Sequence, residues 1–330
     1  MNARRNLIRA IGACAAAACA PVCITRAWAQ QFPSRPVRVV TPFPPGSGPD
    51  AALRVLAEAL AARWGQPVVI DNKPGGNGFI AVAAFRQAAP DGHELIQLDS
   101  THTTTHPHTF SKLPYDVERD FVPVSMMLRT SFFVTTGAGS RYKSLEDIVA
   151  AAQARPGAVT YGSWGTGSPG HLGGLQLQAM RSLQMVHVPF RDFGQLYAAV
   201  ASQQVDWALG SIASAGPLER GGKIRFVAFA APARDPQYAN VAATGETPDL
   251  RGFEVSGWAG LFGPRALAPA LRNQIAGDVA ASLAAPEMIE RYRAFGYEAP
   301  KLAPDEFAHL IRHETAAWGD VIHAAKLRLD

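Results

Sequence analysis

Two hydrophobic spacings alternate along this chain from about residue 36 onward: short unbroken apolar runs, and longer stretches in which apolar positions return every three or four residues. The run Pro36-Val37-Arg38-Val39-Val40-Thr41-Pro42 predicts a strand that enters a Pro- and Gly-rich turn over residues 43–48. Asp50 is then the candidate N-cap of a helix on which Ala51, Leu53, Leu56, Ala57, Leu60 and Ala61 share one face. Residues 66–70 predict the next strand, and Gly75, Gly76 and Gly78 a turn. An Ala-rich helix up to Ala89, a turn at Pro90-Asp91-Gly92 and a strand over 94–98 follow. Strands alternating with helices predict a largely parallel sheet with helices on its faces.

The same alternation restarts at Phe132-Phe133-Val134-Thr135-Thr136. It predicts a helix over 145–153, a strand at Val159-Thr160-Tyr161 and a Gly-rich turn over 162–170. A helix over 171–183, a strand over 185–190, a helix over 195–202 and strands over 205–209 and 224–230 complete a second unit. The tail predicts helices over 269–283, 286–295 and 304–325, each opened by a proline near its first turn. The chain therefore reads as two α/β units.

The N-terminus changes the charge picture. Arg4 and Arg5 precede a small, apolar stretch over residues 10–24 that ends near Ala27-Trp28-Ala29, the layout of a cleaved export signal. The stretch is shorter than the roughly 20 residues of a membrane-spanning helix. Arg4-Arg5-Asn6-Leu7-Ile8-Arg9 fits the twin-arginine route as well as the ordinary secretory one. Cleavage near Ala29 takes Arg4, Arg5, Arg9 and Arg26 with it, so Lys plus Arg falls from 31 to 27 and equals Asp plus Glu. The mature protein is then formally neutral, and the +4 of the whole chain points to neither nucleic acid nor anionic membrane. Cys14, Cys19 and Cys23 also leave, which excludes disulfides, thiolate catalysis and cysteine metal sites together.

Both Gly-rich turns sit between a strand and a helix, where open α/β sheets bind ligands beyond the strand ends. Helix N-termini there offer backbone N–H groups and a positive dipole end to an anion. Gly46, Ser47 and Gly48 in the first turn, and Ser163, Thr166, Gly167 and Ser168 in the second, are small or hydroxylated enough to let a backbone approach a ligand. Two facing cradles of this kind fit one carboxylate ligand held between the units.

The segments Pro42-Phe43-Pro44-Pro45-Gly46-Ser47-Gly48, Ala89-Pro90-Asp91-Gly92, Leu113-Pro114-Tyr115-Asp116, His187-Val188-Pro189-Phe190, Gln204-Val205-Asp206 and Gly252-Phe253-Glu254-Val255-Ser256-Gly257-Trp258 resemble the substrate-binding proteins of tripartite tricarboxylate transporters, the Bug-type receptors. The resemblance runs from about residue 32 to residue 325. It implies a periplasmic, type II binding-protein fold: two α/β lobes joined by crossover strands, with the ligand cleft between them. Lobe 1 would comprise residues 30–130 and 254–330, and lobe 2 residues 131–253. The resemblance also implies a monomeric receptor, not an enzyme, that needs no cofactor and closes on a small carboxylate. The solute would be a di- or tricarboxylate, an amino acid or an aromatic acid, passed to the membrane subunits of such a transporter.

Matched residue by residue, the family's cradle loops fall on 43–48, with Phe43, Gly46, Ser47 and Gly48, and on 163–168, with Ser163, Trp164, Thr166, Gly167 and Ser168. Two further cleft-lining stretches fall on 101–106, with Thr103 and His106, and on 190–195, with Phe190 and Asp192. The chain departs from the family pattern at Pro49, His106, Trp164, Asp192, Gly210 and Ser211. Asp192 is a candidate partner for a ligand amine or a solvated loop charge. Trp164 is a candidate platform for an aromatic acid or a packing residue near the hinge, and Trp258 reads as core or hinge.

Two other chemistries have motifs here. Gly165-Thr166-Gly167-Ser168-Pro169-Gly170 spells G-x-G-x-x-G with Asp192 downstream, the outline of a dinucleotide site in an oxidoreductase, although Pro169 stiffens the turn. His102, His106 and His108, with His93 nearby, suggest a metal receptor if the segment is helical, whereas Thr103-Thr104-Thr105 argues for a loop. No serine lies in a G-x-S-x-G elbow.

Overall fold

A computed structural model describes residues 32–329, so the export-signal reading of residues 1–29 lies outside the described residues. The strands are β1 (Val37–Thr41), β2 (Val68–Asn72), β3 (Glu94–Asp99), β4 (Phe121–Ser131), β5 (Phe133–Gly137), β6 (Thr160–Ser163), β7 (Val186–Pro189), β8 (Trp207–Gly210), β9 (Ile224–Phe229) and β10 (Ser256–Pro264). The longer helices are α1 (Gly48–Trp64), α2 (Phe79–Phe85), α3 (Leu145–Ala154), α4 (Pro169–Arg181), α5 (Phe193–Ala201), α6 (Ile212–Arg220), α7 (Pro269–Leu283), α8 (Pro286–Ala294) and α9 (Pro304–Ala324). No described helix is long and apolar enough to cross a membrane.

The strands form two five-stranded sheets, ordered β2-β1-β3-β10-β4 and β7-β6-β8-β5-β9. β1 runs parallel to β2 and β3, and β6 parallel to β7 and β8, as strand-helix alternation requires. The antiparallel members are the strands that tie the sheets together. β4 pairs along its length with β10 and passes through Phe132 into β5. Phe132 N–H donates to Val255 O, Val255 N–H to Ala230 O, and Ala230 N–H to Phe132 O, a closed ring of bonds where the crossing segments meet. The fold is thus two α/β lobes joined by crossover strands. Each lobe has its own core: Val39, Leu56, Leu95 and Val124 in the first, Tyr161, Leu177, Trp207 and Phe253 in the second.

Several elements depart from the sequence reading. β4 and β10 were not predicted, because β4 is buried on both faces and so lacks alternation, and β10 carries Gly257, Gly260 and Gly263. A Cβ at Gly260 would press into the Phe307 ring, so the glycine is what lets α9 pack on the sheet. α6 was also missed, since Gly216 and Pro217 interrupt its helical pattern. α2 ends at Phe85 rather than Ala89. Ser47, not Asp50, occupies the N-cap of α1, and Asp50 lies inside the first turn.

Candidate ligand-binding cleft

The parallel strands deliver their carboxyl ends to one edge of each sheet, and the two edges face each other. A Cβ at Gly48, in the first turn of α1, would overlap the Tyr297 hydroxyl and lie 3.1 Å from Ala213 Cβ on α6 of the other lobe. Thr105 Oγ1, beyond β3, donates across the cleft to Gly167 O, beyond β6, at 3.1 Å. Of the loops proposed from sequence, 101–106 and 163–168 therefore meet across the lobe boundary, whereas 43–48 meets α6.

The first loop is organised by Asp50, whose side chain has no solvent exposure. Its carboxylate accepts from Gly46 N–H at 2.8 Å, from Arg54 at 2.9 and 3.1 Å, and from Asn72 Nδ2 at 2.7 Å. Burial alone would raise its pKa, but the bonds from Arg54, Asn72 and Gly46 together hold the carboxyl below its usual range. The Gly46 N–H is consequently occupied, and the Ser47 hydroxyl donates to Pro44 O at 2.8 Å. The α1 amides without an intrahelical acceptor are those of Gly48 and Asp50, since Pro49 has none. Phe43 is half-buried with its ring edge-on to His102.

The second loop is organised by neutral groups. Ser163 Oγ donates to Gly165 O at 2.9 Å and lies 2.7 Å from His187 Nε2. Gly167 N–H donates to His171 Nδ1 at 3.1 Å, and the two imidazoles stack at 3.8 Å, 14° from parallel. Burial, and then His187 alongside, pushes His171 down to about 3, and burial pushes His187 down to about 4. Ser168 caps α4 and donates to Gly165 O at 2.6 Å. The serine hydroxyls thus shape the turn, and Gly170 carries the first-turn N–H of α4 without an intrahelical acceptor. Thr166 is half-buried at the tip of the turn.

Trp164 packs between Phe132 and Phe193 at 5.2 Å from each, so its ring braces the hinge. Phe190 donates its N–H to Ser163 O and lies half-buried against the core of lobe 2. Asp192 is exposed and caps α5, accepting from Gln195 N–H at 2.8 Å. Trp258 is buried against Phe307 and donates to Glu314 at 2.7 Å, a core position.

Residues 101–105 form a π-helical turn that runs into a short α-helix, His106–Thr109. The expectation of a loop is corrected here. The hydroxyls of Thr103, Thr104 and Thr105 each donate to the carbonyl four residues back, at 2.9, 2.7 and 3.0 Å, which offsets the crowding of β-branched residues in a helix. His102 and His106 do share a face, 5.3 Å apart, but both are buried. His106 sits among Phe79, Phe110 and Tyr115, 3.1 Å from the tyrosine hydroxyl, and burial, with His102 beside it, pushes its pKa down to about 3. Among the described residues no group of three or more His, Cys, Asp or Glu is placed to hold a metal ion.

The G-x-G-x-x-G turn is open beside Gly165 and packed beside its other two glycines. The space beside Gly167 is occupied by Thr105, Thr109 and Leu329 of the facing lobe, and that beside Gly170 by the Trp164 ring. A cavity of about 890 Å³ lies at the hinge, lined from both lobes by Arg129, Thr130, Phe133, Ile212 and Gln237 among others; it reaches Tyr297, whose hydroxyl lies against Gly48, and none of the sequence-proposed residues lines it.

Sequence reasoning missed the N-terminus of α6. Ser211 caps it in a reciprocal capping box with Ser214, leaving Ile212 and Ala213 N–H without intrahelical acceptors next to Gly48. The Ser211-x-x-Ser214 spacing was the available signal.

Solved structures share this two-lobed fold, among them the periplasmic binding protein BugD. Rpa4515 of R. palustris, solved with adipate, superposes with a TM-score of 0.84 at 26% identity, over 90% of this chain and all of that one. MatC from Rhodopseudomonas palustris, with bound malate, gives a TM-score of 0.78 at 30% identity, over 88% of this chain and all of that one. The model of the tripartite tricarboxylate transporter family receptor matches residues 52–327, and the chain belongs to that family. Among curated relatives, the UPF0065 protein in the tcbD-tcbE intergenic region of Pseudomonas sp. strain P51 is 30% identical, over 88% of this chain and 86% of its own length. BugT of Bordetella pertussis is 27% identical, over 91% of this chain and 92% of its own. The family is one of transporter receptors.

Proposed function

We propose that this protein is an exported, periplasmic, monomeric receptor that captures a small dicarboxylate between its lobes and delivers it to the membrane subunits of a tripartite tricarboxylate-type transporter. Lobe 1 spans residues 30–130 and 254–330, and lobe 2 residues 131–253. The observation that carries the reading is the convergence of helix N-termini from both lobes, α1 facing α6 through Gly48 and Ala213. The amides of Gly48, Asp50, Gly170, Ile212 and Ala213 are the candidate carboxylate donors, each on the positive end of a helix. Arg191 is the only Lys or Arg in the four candidate loops, so an anion is recognised there by dipoles rather than by ion pairs. A solute must touch both lobes to favour closure, which suits a ligand with a carboxylate at each end. The adipate and malate in the neighbouring structures fit that description.

Hydrogen exchange with and without adipate or malate tests this. Binding should protect amides around Gly48 and around Gly170 and Ala213 together. Protection confined to one lobe, or centred on Arg129 and Thr130 at the far wall of the hinge cavity, contradicts it.

A further inference from the structure

We infer that Thr105 is a positioning residue, a latch that holds the lobes closed without selecting the solute. Its hydroxyl has one proton and two acceptors: Thr101 O at 3.0 Å in its own turn, and Gly167 O at 3.1 Å in the facing lobe. Thr105 is buried, and the contact is walled by Thr109 and Leu329, so water does not compete while the lobes touch. When they part, the proton returns to Thr101 O. The donor is never orphaned, and the latch opens without the penalty of a buried unpaired group.

Lobe 2 presents the acceptor rigidly. Gly167 has φ +80°, and its N–H is tied to His171 Nδ1 at 3.1 Å, so its backbone is anchored from below while its carbonyl meets Thr105. His171 is in turn stacked on His187, which Ser163 holds at 2.7 Å. On the other side, the π-helical turn directs His106 N–H as well as the Thr105 hydroxyl to Thr101 O, fixing where that hydroxyl starts. Wide turns of this kind recur at functional sites. The latch rests on the two-lobed receptor reading, because it matters only if the lobes open. It strengthens every closed complex by the same factor and leaves the ranking of solutes unchanged.

The test is amide exchange on the solute-free parent, Thr105→Val and Thr105→Ser. Protection at Gly167 and Ser168 should fall about fivefold in the valine variant, equivalent to about 1 kcal/mol, and stay at the parent level in the serine variant, which keeps the donor. Protection in α3, remote from the contact, should be the same in all three. An unchanged valine variant overturns the latch. So does an equal loss in the serine variant, or a loss that extends to α3, which would assign Thr105 to packing. Adding adipate or malate separates the two ideas: a latch that responds to Thr105→Val in a protein neither acid protects would stand while the dicarboxylate reading falls.

Discussion

The turn after β1 is held by a buried carboxylate that collects Gly46, Arg54 and Asn72, whereas the turn after β6 is held by two neutral imidazoles and two serines. Both sit at the carboxyl end of a parallel strand and both open a proline-started helix. They differ in what titrates. The first keeps its charge because its partners favour the ionised form; the second keeps its shape because burial disfavours protonation. A receptor can thus build equivalent cradles from charged and from neutral supports, and acid should reach the second first.

Acidification is expected to have the largest effect. His171, His187 and likewise buried His106 have folded pKa values below the ordinary 6.5, so the unfolded chain takes up protons first. Their contribution is complete above pH 6.5 and is lost as pH falls toward about 4 for His187 and about 3 for His106 and His171. The slope is up to about 1.4 kcal/mol per pH unit for each, less for His187, where water screens more. Denaturant midpoints that stay flat from pH 6.5 to 4.5 contradict neutral imidazoles beneath the second turn.

Asp50→Ala comes next, with a loss of about 3 kcal/mol from leaving the Gly46 N–H unpaired and taking the carboxylate away from Asn72 and Arg54, read from urea unfolding at pH 7. A loss under about 1 kcal/mol would mean that the first turn does not depend on its carboxylate. Ser168→Ala removes a cap and should cost about 1 kcal/mol while weakening solute binding through a misplaced Gly170. Unchanged affinity by calorimetry would detach that turn from the site. Asp192→Asn should be smallest, within a few tenths of a kcal/mol, because asparagine caps as well as aspartate. Plain dicarboxylates should bind it as they bind the parent; a selective loss of amino-acid binding would instead assign Asp192 to a ligand amine.

What was legible in the sequence follows physical lines. β1 and α7 lie within a residue of their expected positions, because continuous apolar runs and proline-started periodicity are local signals. β4 and β10 were not, since their strand character comes from burial on both faces and from glycines, of which Gly260 admits α9. The turns at strand ends could be read as cradles, but not the occupation of their hydroxyls and amides. Asp50 meets Asn72 from 22 residues away, and Ser163 meets His187 from 24, pairings that only the assembled sheets create. The threonine run differs for the opposite reason: β-branching alone points to a loop, yet its equally local back-bonds to carbonyls sustain a helical turn.

The central claim, that the chain captures a small carboxylate, is tested most directly by thermal unfolding against mono-, di- and tricarboxylates, amino acids, aromatic acids, NAD and zinc. A ligand at about 100 times its Kd adds about 2.7 kcal/mol, enough to raise the midpoint by several degrees. Dicarboxylates are expected to give that rise while their dimethyl esters give none. A rise with NAD or zinc alone, or with the esters as much as with the acids, would contradict the account.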